Sequence, residues 1–600
     1  MTSLPSPLDA LHAALRSEQE AEAAELARLA RGSLADRVEA GVSWPRLVVD
    51  DQRWAGRRVE LDLRAPRGVV LHDGLRPGDP VELVAGSTRL PGTLWGCDGR
   101  VAEVGLREPL ERGTEVEVCR RSDPRTWVRY RRALEAGAEA RSPVARALLA
   151  DPPRVDAATG EGPRPGELAD LDEAQQAAAR RALQAEALAA IHGPPGTGKT
   201  RVLAALARVL VGQQKRVWAL ADSNAAVDHL ALACHREGLQ VVRVGHSARM
   251  SDEARAVSLA TRLATSPLAG ALAALERDRS RCADHRERRA LGQRWRELRR
   301  DAEQHILEGA EVIACTFGTL AGRAEQLPPA HTALVDEATQ ATEPAVWVAV
   351  PHVQRLILAG DPEQLGPVCR VPGPLEVSLL ERVLLEERAA APMLEVQHRM
   401  DRGIRTLVAR VYGDRYRDHP SAADQGLTGP GSSVRATDLT QRRALWIDTA
   451  GAGFDEERDP VSRSLRSPGE VRLVRAVVDH LVEAGVPTED IAVIAPYSAQ
   501  VAALRSALPG TEVATVNAYQ GRERPVVVAS WVRSNDRGEL GFVADGRRLT
   551  VTLTRARRLL VSIGDSATLG AHPRFGRLLD DLADRGDLQS VFEPPWDAAL

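Results

Sequence analysis

Residues 193–200 read GPPGTGKT and fit the pattern G-x-x-x-x-G-K-[ST]. Each residue type there suits the binding of a triphosphate. Gly193, Gly196 and Gly198 leave room for backbone N–H groups to point at phosphate oxygens, with Pro194, Pro195 and Thr197 completing the loop. Lys199 offers a compact ammonium to the β- and γ-phosphates, and the Thr200 hydroxyl can ligate Mg2+. A helix starting at the end of the loop adds its partial positive charge. ATP and Mg2+ are the ligands this loop predicts.

Composition sharpens that reading. Of 79 basic side chains only Lys199 and Lys215 are lysines, and the other 77 are arginines. A bias this strong makes arginine the default, yet lysine stands where a compact ammonium suits a glycine loop better than a planar guanidinium. Lys215 has no such setting. Asp336 and Glu337 end an apolar run 137 residues beyond Lys199. A strand ending in Asp-Glu is ordinarily a solvated strand end. After a P-loop, Asp336 is expected to hold the Mg2+ shell with Thr200, and Glu337 to polarise the attacking water. Gln364, in LILAGDPEQLGPV, is a candidate γ-phosphate and water sensor. Arg399 in VQHRM and Arg555 in LTRAR are candidates whose weight comes from the strings around them.

Such groups need rigid supports. The runs LAAIH, VWALA, EVIACT, TALVDE and LILAG alternate with helical stretches between 188 and 360. A second set, ALWID, IAVIAPY, VATV, PVVVASWV and LLVSIG, spans 444–564. Short, nearly continuous apolar runs suit strands buried on both faces of a parallel sheet, so an α/β class is expected. Ahead of them, 8–40 reads as a helix. The runs RLVVD, RRVELDLR, GVVL, DPVELVAG and TEVEVCRR read as a small antiparallel barrel, 126–149 as helical and 151–167 as a linker. The expected units are a stalk helix (1–40), a β-barrel (41–125), a returning helix and linker (126–165), a P-loop unit (166–390) and a second α/β unit (391–600). The stretch 251–308 interrupts the P-loop unit as a charged helical insertion. Within 276–301 ten arginines face six acids, which suits either a nucleic-acid contact or a solvated helix laced with ion pairs.

The 600 residues carry a net charge of −4, with 44% apolar and 27% charged side chains, an ordinary globular balance. No global field pulls toward nucleic acid, so any grip must come from locally placed arginines. Residues 1–30 lack the pattern of a secretory signal, and no uncharged apolar run is long enough to span a bilayer. The six cysteines form no C-x-x-C, which argues against structural zinc and disulfide scaffolds and fits a reducing cytoplasm. Aromatic residues make up only 3%, so contact with a strand is expected through phosphates and sugars more than through stacked bases.

VDEATQATEP, LAGDPEQLGPV, VQHRM, VNAYQGRE and VTLTRAR follow GPPGTGKT in that order. Together they resemble the superfamily 1 helicases, in the 5′→3′ branch that holds the nonsense-mediated-decay helicase and the immunoglobulin mu-binding-protein helicase. The resemblance runs from about Leu171 to Asp565. It implies two RecA-like P-loop domains with ATP between them, and the barrel, stalk and insertion resemble accessory parts of that branch. Gln175 matches the glutamine that reads the adenine edge. Arg399 and Arg555 match arginine fingers, and Gly521 and Glu523 in QGRE match a segment near the ribose and phosphates. Ser223, Asn224, Thr316 and Thr515 match segments that hold the nucleic-acid backbone. There are departures. His398 stands where the family usually has a Tyr stacked on the base, Asp222 stands where a Pro is common, and the Cys/His-rich zinc module of the decay helicase has no counterpart.

The expectation is a monomeric, cytoplasmic ATP-dependent helicase or translocase moving 5′→3′ on single-stranded DNA or RNA and acting at duplex junctions, with no membrane partner. Its polarity comes from the resemblance alone. Trp95 of the barrel is a candidate contact with the duplex fork. The alternatives are an ATP-gated nucleic-acid clamp that remodels bound proteins without processive unwinding, and a P-loop enzyme acting on metabolites. The choice between DNA and RNA stays open.

Overall fold

A computed structural model describes residues 7–600 apart from 40, 56–57, 68–70, 72–73, 76, 98, 151–152, 156–159, 161, 283, 388–390, 430 and 460–462. Near the N-terminus, strands β1 (Ser43–Ala55), β2 (Arg58–Arg64), β3 (Pro80–Ala85), β4 (Thr88–Cys97), β5 (Val101–Leu106) and β6 (Glu115–Arg120) close into an antiparallel barrel in the order β1-β2-β5-β4-β3-β6. Period-two alternation turns Val59, Leu61, Leu63, Val81, Leu83, Val116 and Val118 into one apolar interior. Strands β4 and β5 lie outside the alternating runs read from the sequence, because Pro91, Gly92 and Gly96 break the pattern of β4. The GVVL run falls mostly outside the described residues, and Leu71 is buried but in no strand. Trp95 lies half-buried across Gly105, where an added Cβ would sit 2.5 Å from its ring.

The stretch expected as one helix is two, Pro7–Ala30 and Leu34–Glu39, separated by a turn at Gly32. Leu11 and Leu15 of the first share a core with Tyr130 and Leu134 of the returning helix Arg125–Glu139 and with one face of the sheet that follows.

That sheet contains β7 (Leu188–His192), β8 (Val217–Ala221), β9 (Val241–Arg243), β10 (Val312–Thr316), β11 (Thr332–Val335) and β12 (Arg355–Gly360). All pairings are parallel, in the order β7-β12-β11-β8-β10-β9. Separate apolar cores cover its two faces, which accounts for the unbroken apolar runs. The order places β7, β12 and β11 side by side, so the loops that leave their C-terminal ends emerge together, where open α/β sheets bind ligands. The insertion consists of helices Asp252–Ala256, Leu259–Ala264, Ala269–Arg281 and His285–Glu308. The long pair packs on itself, with the Arg279 and Arg299 guanidiniums 5.8 and 5.2 Å from the Trp295 ring.

After a two-stranded ribbon, β13 (Val396–Gln397) with β14 (Arg417–Asp418), comes the second sheet: β15 (Ala444–Asp448), β18 (Ile491–Ala495), β19 (Glu512–Thr515), β20 (Arg524–Ser530), β21 (Ala556–Gly564) and β22 (Leu588–Ser590). It too is parallel, in the order β19-β18-β20-β21-β15-β22, with a small hairpin, β16 (Glu457–Arg458) and β17 (Leu465–Arg466), beside it. Strands β9 and β22, three residues each, are too short to show a period. Among the described residues no helix is long and apolar enough to cross a membrane.

Candidate functional site: the cleft between the two sheets

Strand β7 runs into the glycine loop, and the helix Lys199–Gly212 leaves it. Gly196 and Gly198 adopt φ of +72° and +82°, the left-handed region that favours glycine. Space forbids a side chain as well: a Cβ at Gly196 would lie 2.7 Å from the Arg399 Cβ, and one at Gly198 2.7 Å from Gln175 Nε2. The loop is held from both sides. Thr197 Oγ1 donates to Pro194 O at 2.7 Å, Tyr416 Oη to Pro195 O at 2.6 Å, and the His398 N–H to Gly196 O at 2.9 Å. Lys199 Nζ donates to Gly193 O at 2.9 Å and lies 3.7 Å from Glu337 Oε1.

Strand β11 delivers the carboxylates. Thr200 Oγ1 donates to Asp336 Oδ2 at 2.7 Å. Burial, then the neighbouring Glu337 charge, push the Asp336 carboxyl up from its ordinary value. Glu337 has φ +49°, uncommon for a residue with a side chain. Such a backbone costs of order 1–3 kcal/mol and persists where its surroundings over-determine it, as at active sites. Gln340 Nε2 donates to Glu337 Oε2 at 3.2 Å.

Groups from the second sheet face these. Arg399 ion-pairs with Glu523. Burial raises the Glu523 carboxyl, but Arg399, Arg557 and Arg555 outweigh it and hold the group below its usual value. Arg555 is 1% exposed, its Nε donating to Val551 O at 2.9 Å and its Nη1 to Arg522 O at 3.3 Å. Burial and the nearby Arg399 charge bring it down to about 10, so it remains a cation at neutral pH. A cavity of about 870 Å³ lies between the halves, with Lys199, Thr200, Asp336 and Glu337 on one wall and His398, Arg399, Gly521 and Glu523 on the other. Gln364 and Arg555 meet just beyond this lining.

Gln175 and His398 flank the loop. Gln175 closes a capping box with Asp172, and its Nε2 donates to Thr197 O at 3.0 Å, so its amide braces the P-loop. The His398 ring stacks on His419 at 4.3 Å and lies 3.8 Å from Asp172 Oδ2. Burial, then His419, lower the His398 pKa and favour its neutral ring, and the stacked pair presents a flat surface.

Three groups escaped the sequence reading. Asp361, fully buried, accepts from Tyr412 Oη and from Gln364 Nε2, each at 2.7 Å, and faces His192 Nε2 at 3.3 Å. Burial raises this carboxyl, but the His192 contact, the Lys199 charge and the Gln364 hydrogen bond hold it below the usual range. The signal for Asp361 was its place after Gly360 at a strand end. Tyr412 and Tyr416 carry no motif, although they are two of only five tyrosines and lie four residues apart.

Two family models, each described as an AAA domain, match the chain, one over 170–285 and 272–370 and the other over 375–567. DNA-binding protein SMUBP-2 of Rattus norvegicus is 37% identical over 453 residues, covering 70% of this chain and 46% of that protein. Regulator of nonsense transcripts 1 of Caenorhabditis elegans is 32% identical over 455 residues, 72% of this chain and 41% of that one. DNA polymerase alpha-associated DNA helicase A of Schizosaccharomyces pombe is 31% identical over 424 residues, 67% and 64% respectively. The chain belongs to the superfamily 1 helicases. It spans about half the length of the SMUBP-2 relatives it matches.

The four residues matched to the family's nucleic-acid segments do not line that cavity, although the helix that begins at Asn224 does. Ser223 caps the helix Asn224–Arg236, its Oγ accepting from the Ala226 N–H at 3.2 Å. Asn224 Oδ1 accepts from Arg243 Nη2 at 3.0 Å, and Arg243, fully buried, pairs with Asp228 at 2.8 Å. Thr316 caps the helix Phe317–Arg323. Because Ala221 and Thr316 are in register on β8 and β10, Ser223, Asn224 and Thr316 gather at one end of the first sheet. Thr515, at the end of β19, lines a separate cavity of about 600 Å³ with Arg458, Arg463, Arg533, Arg548, Tyr497 and Phe542. Phe542 is 47% exposed, with the Arg548 guanidinium 4.5 Å from its ring centre. Among 77 arginines no local cue marks these four.

Proposed function

We propose that this helicase-family chain hydrolyses ATP in the cleft and couples it to 5′→3′ movement on single-stranded DNA or RNA, opening duplex at junctions. The observation that carries the reading is the pairing of Arg555, immediately before β21, with Gln364, in the loop after β12. In that arrangement one domain binds the triphosphate and the other supplies charge. Lys199 holds the phosphates and Glu337 orients the water. Arg399 and Arg555 stabilise charge on the transferred phosphoryl group, so turnover requires both halves to meet.

The hard oxygens of Thr200 and Asp336, adjacent at the cavity wall, fit a magnesium ion. When bound, Mg2+ would neutralise phosphate charge. His398 and Gln175 would take the base, and Gly521 and Glu523 the ribose side. Ser223, Asn224 and Thr316 on the first unit (166–390) and Thr515 with its arginines on the second (391–600) would hold successive stretches of backbone. Opening and closing of the cleft then changes the spacing of the two grips. A cytoplasmic setting goes with this reading, and a monomer carries every group the scheme uses.

The test is ATPase activity with and without single strands, then strand displacement on duplexes with a 5′ or a 3′ overhang. Stimulated hydrolysis and opening of the 5′-tailed duplex are expected. Preferential opening of the 3′-tailed duplex would overturn the polarity. Stimulated hydrolysis without displacement would favour a clamp, and indifference to nucleic acid a metabolite enzyme.

A further inference from the structure

The loop after β12 runs from Asp361 to Gly373 without helix or strand. Its first half belongs to the cleft. Gln364 bonds to Asp361 and Arg555, Leu365 packs with Val516 and Val551 of the second unit, and Gln520 Nε2 donates to Leu365 O at 3.4 Å. Its second half is held by a distant part of the chain, the N-terminal helix Pro7–Ala30. Glu18, 2% exposed, accepts the Arg370 N–H at 2.9 Å, the Val371 N–H at 3.0 Å and Arg370 Nη1 at 3.3 Å. Arg370 Nε donates to Glu25 at 2.9 Å, and its Nη2 lies 4.0 Å from Glu22. Glu18, Glu22 and Glu25 fall at i, i+4 and i+7, which places them on one helix face.

A buried carboxylate is costly unless its oxygens are filled by donors. Here two of the donors are backbone N–H groups 352 and 353 residues away in sequence, in a loop with no hydrogen-bonding ladder of its own. The helix thus fixes where the loop ends, while the second unit grips where it begins. The same helix is braced to the rest of the stalk. Glu22 accepts from Trp127 Nε1 at 2.8 Å, and Arg37, on the next helix, donates to Glu117 of β6 at 2.6 Å.

We propose that Glu18 is a positioning residue for Gln364, and that the stalk, through this carboxylate, sets how the sensor loop meets Arg555. The proposal deepens the ATPase reading above and rests on it for the role of Gln364. A load on the barrel would reach the cleft along this helix, altering turnover more than nucleotide binding.

The test compares Glu18→Ala, Glu18→Gln and Arg370→Ala with the unaltered chain. The readouts are steady-state ATPase with a single-stranded oligonucleotide, binding of a fluorescent ATP analogue, and amide hydrogen exchange over 361–373. Glu18→Ala is expected to lower kcat about tenfold, with KM and analogue affinity within about twofold, the pattern of a lost transition-state arrangement. Glu18→Gln keeps an oxygen for the two N–H groups and is expected to retain at least about half of kcat. Exchange across 361–373 should quicken in Glu18→Ala while β12 stays protected. Overturning results are an unchanged kcat, a loss confined to KM, a Gln variant as impaired as the Ala variant, or unchanged exchange. If Glu18→Ala does not fold, Arg370→Ala decides: it removes the side-chain contacts to Glu18 and Glu25, which loosens the end of the loop on the helix, and should lower kcat about threefold at constant KM, and an unchanged kcat overturns the proposal. An unaltered chain without ATPase activity would defeat the cleft reading, and the exchange result would still decide the tether.

Discussion

The Arg555 guanidinium donates to the Gln364 side-chain oxygen at 3.3 Å, joining residues 191 positions apart on opposite sides of the cleft. Gln364 uses its amide nitrogen on Asp361, which the Tyr412 hydroxyl of the second unit also reaches. Gln364 therefore sits between a buried carboxylate and a buried cation, with one side-chain contact in each unit.

Arg555→Ala should lower kcat by about 10³ or more, as expected when a finger is withdrawn from phosphoryl transfer. Nucleotide binding should change far less, since Lys199 and the loop remain. Single-turnover hydrolysis beside analogue binding checks this, and parallel losses in both would count against a finger role.

Lys199→Ala should abolish hydrolysis, because the loop loses its one ammonium. Glu337→Gln should keep ATP binding and stop turnover, since the amide cannot polarise the water as a carboxylate does. Equilibrium binding and phosphate release measured on both variants separate the roles.

Arg458→Ala should weaken binding of single-stranded oligonucleotides and flatten its salt dependence. Arg458 is exposed in the cavity that Thr515 lines. Each phosphate contact to a single strand contributes about 0.7 to the slope of log K against log salt, so the slope should fall by about that amount. Anisotropy titrations between about 50 and 200 mM salt measure it, and an unchanged slope places the strand elsewhere.

Glu470→Gln should stabilise the protein relative to the parent at pH 8 more than at pH 5. Glu470 is fully buried, accepts from the Ser530 hydroxyl and holds the N–H of Val532, whose φ is +70°. Burial pushes its carboxyl from 4.5 up to about 8. Between those values the folded chain keeps a proton that the unfolded chain releases, so this group's contribution is full below 4.5 and lost as pH rises to 8. The amide has no proton to lose. Thermal melts of both proteins across that range test the sign.

The glycine loop was legible because its requirements are local. Gly196 and Gly198 take left-handed φ within eight contiguous residues, and the strand and helix on either side announce themselves by their own periodicity. The two parallel sheets were legible for a related reason, since a strand buried on both faces has only apolar side chains to show. Strands β4, β9 and β22 were not, being interrupted by Pro and Gly or too short for a period.

The sequence alone determined where the glycine loop lies between its strand and helix, which carboxylates follow it, and the order of the family's motifs. Tertiary structure decided which of 77 arginines line the second-unit cavity, that Tyr412 and Tyr416 reach across to the first unit, and that Glu18 holds the loop beyond Gln364. Contacts of this kind form at about 3 Å between groups separated by tens to hundreds of residues. Their geometry depends on how the sheets and the stalk pack, and no local spacing encodes it.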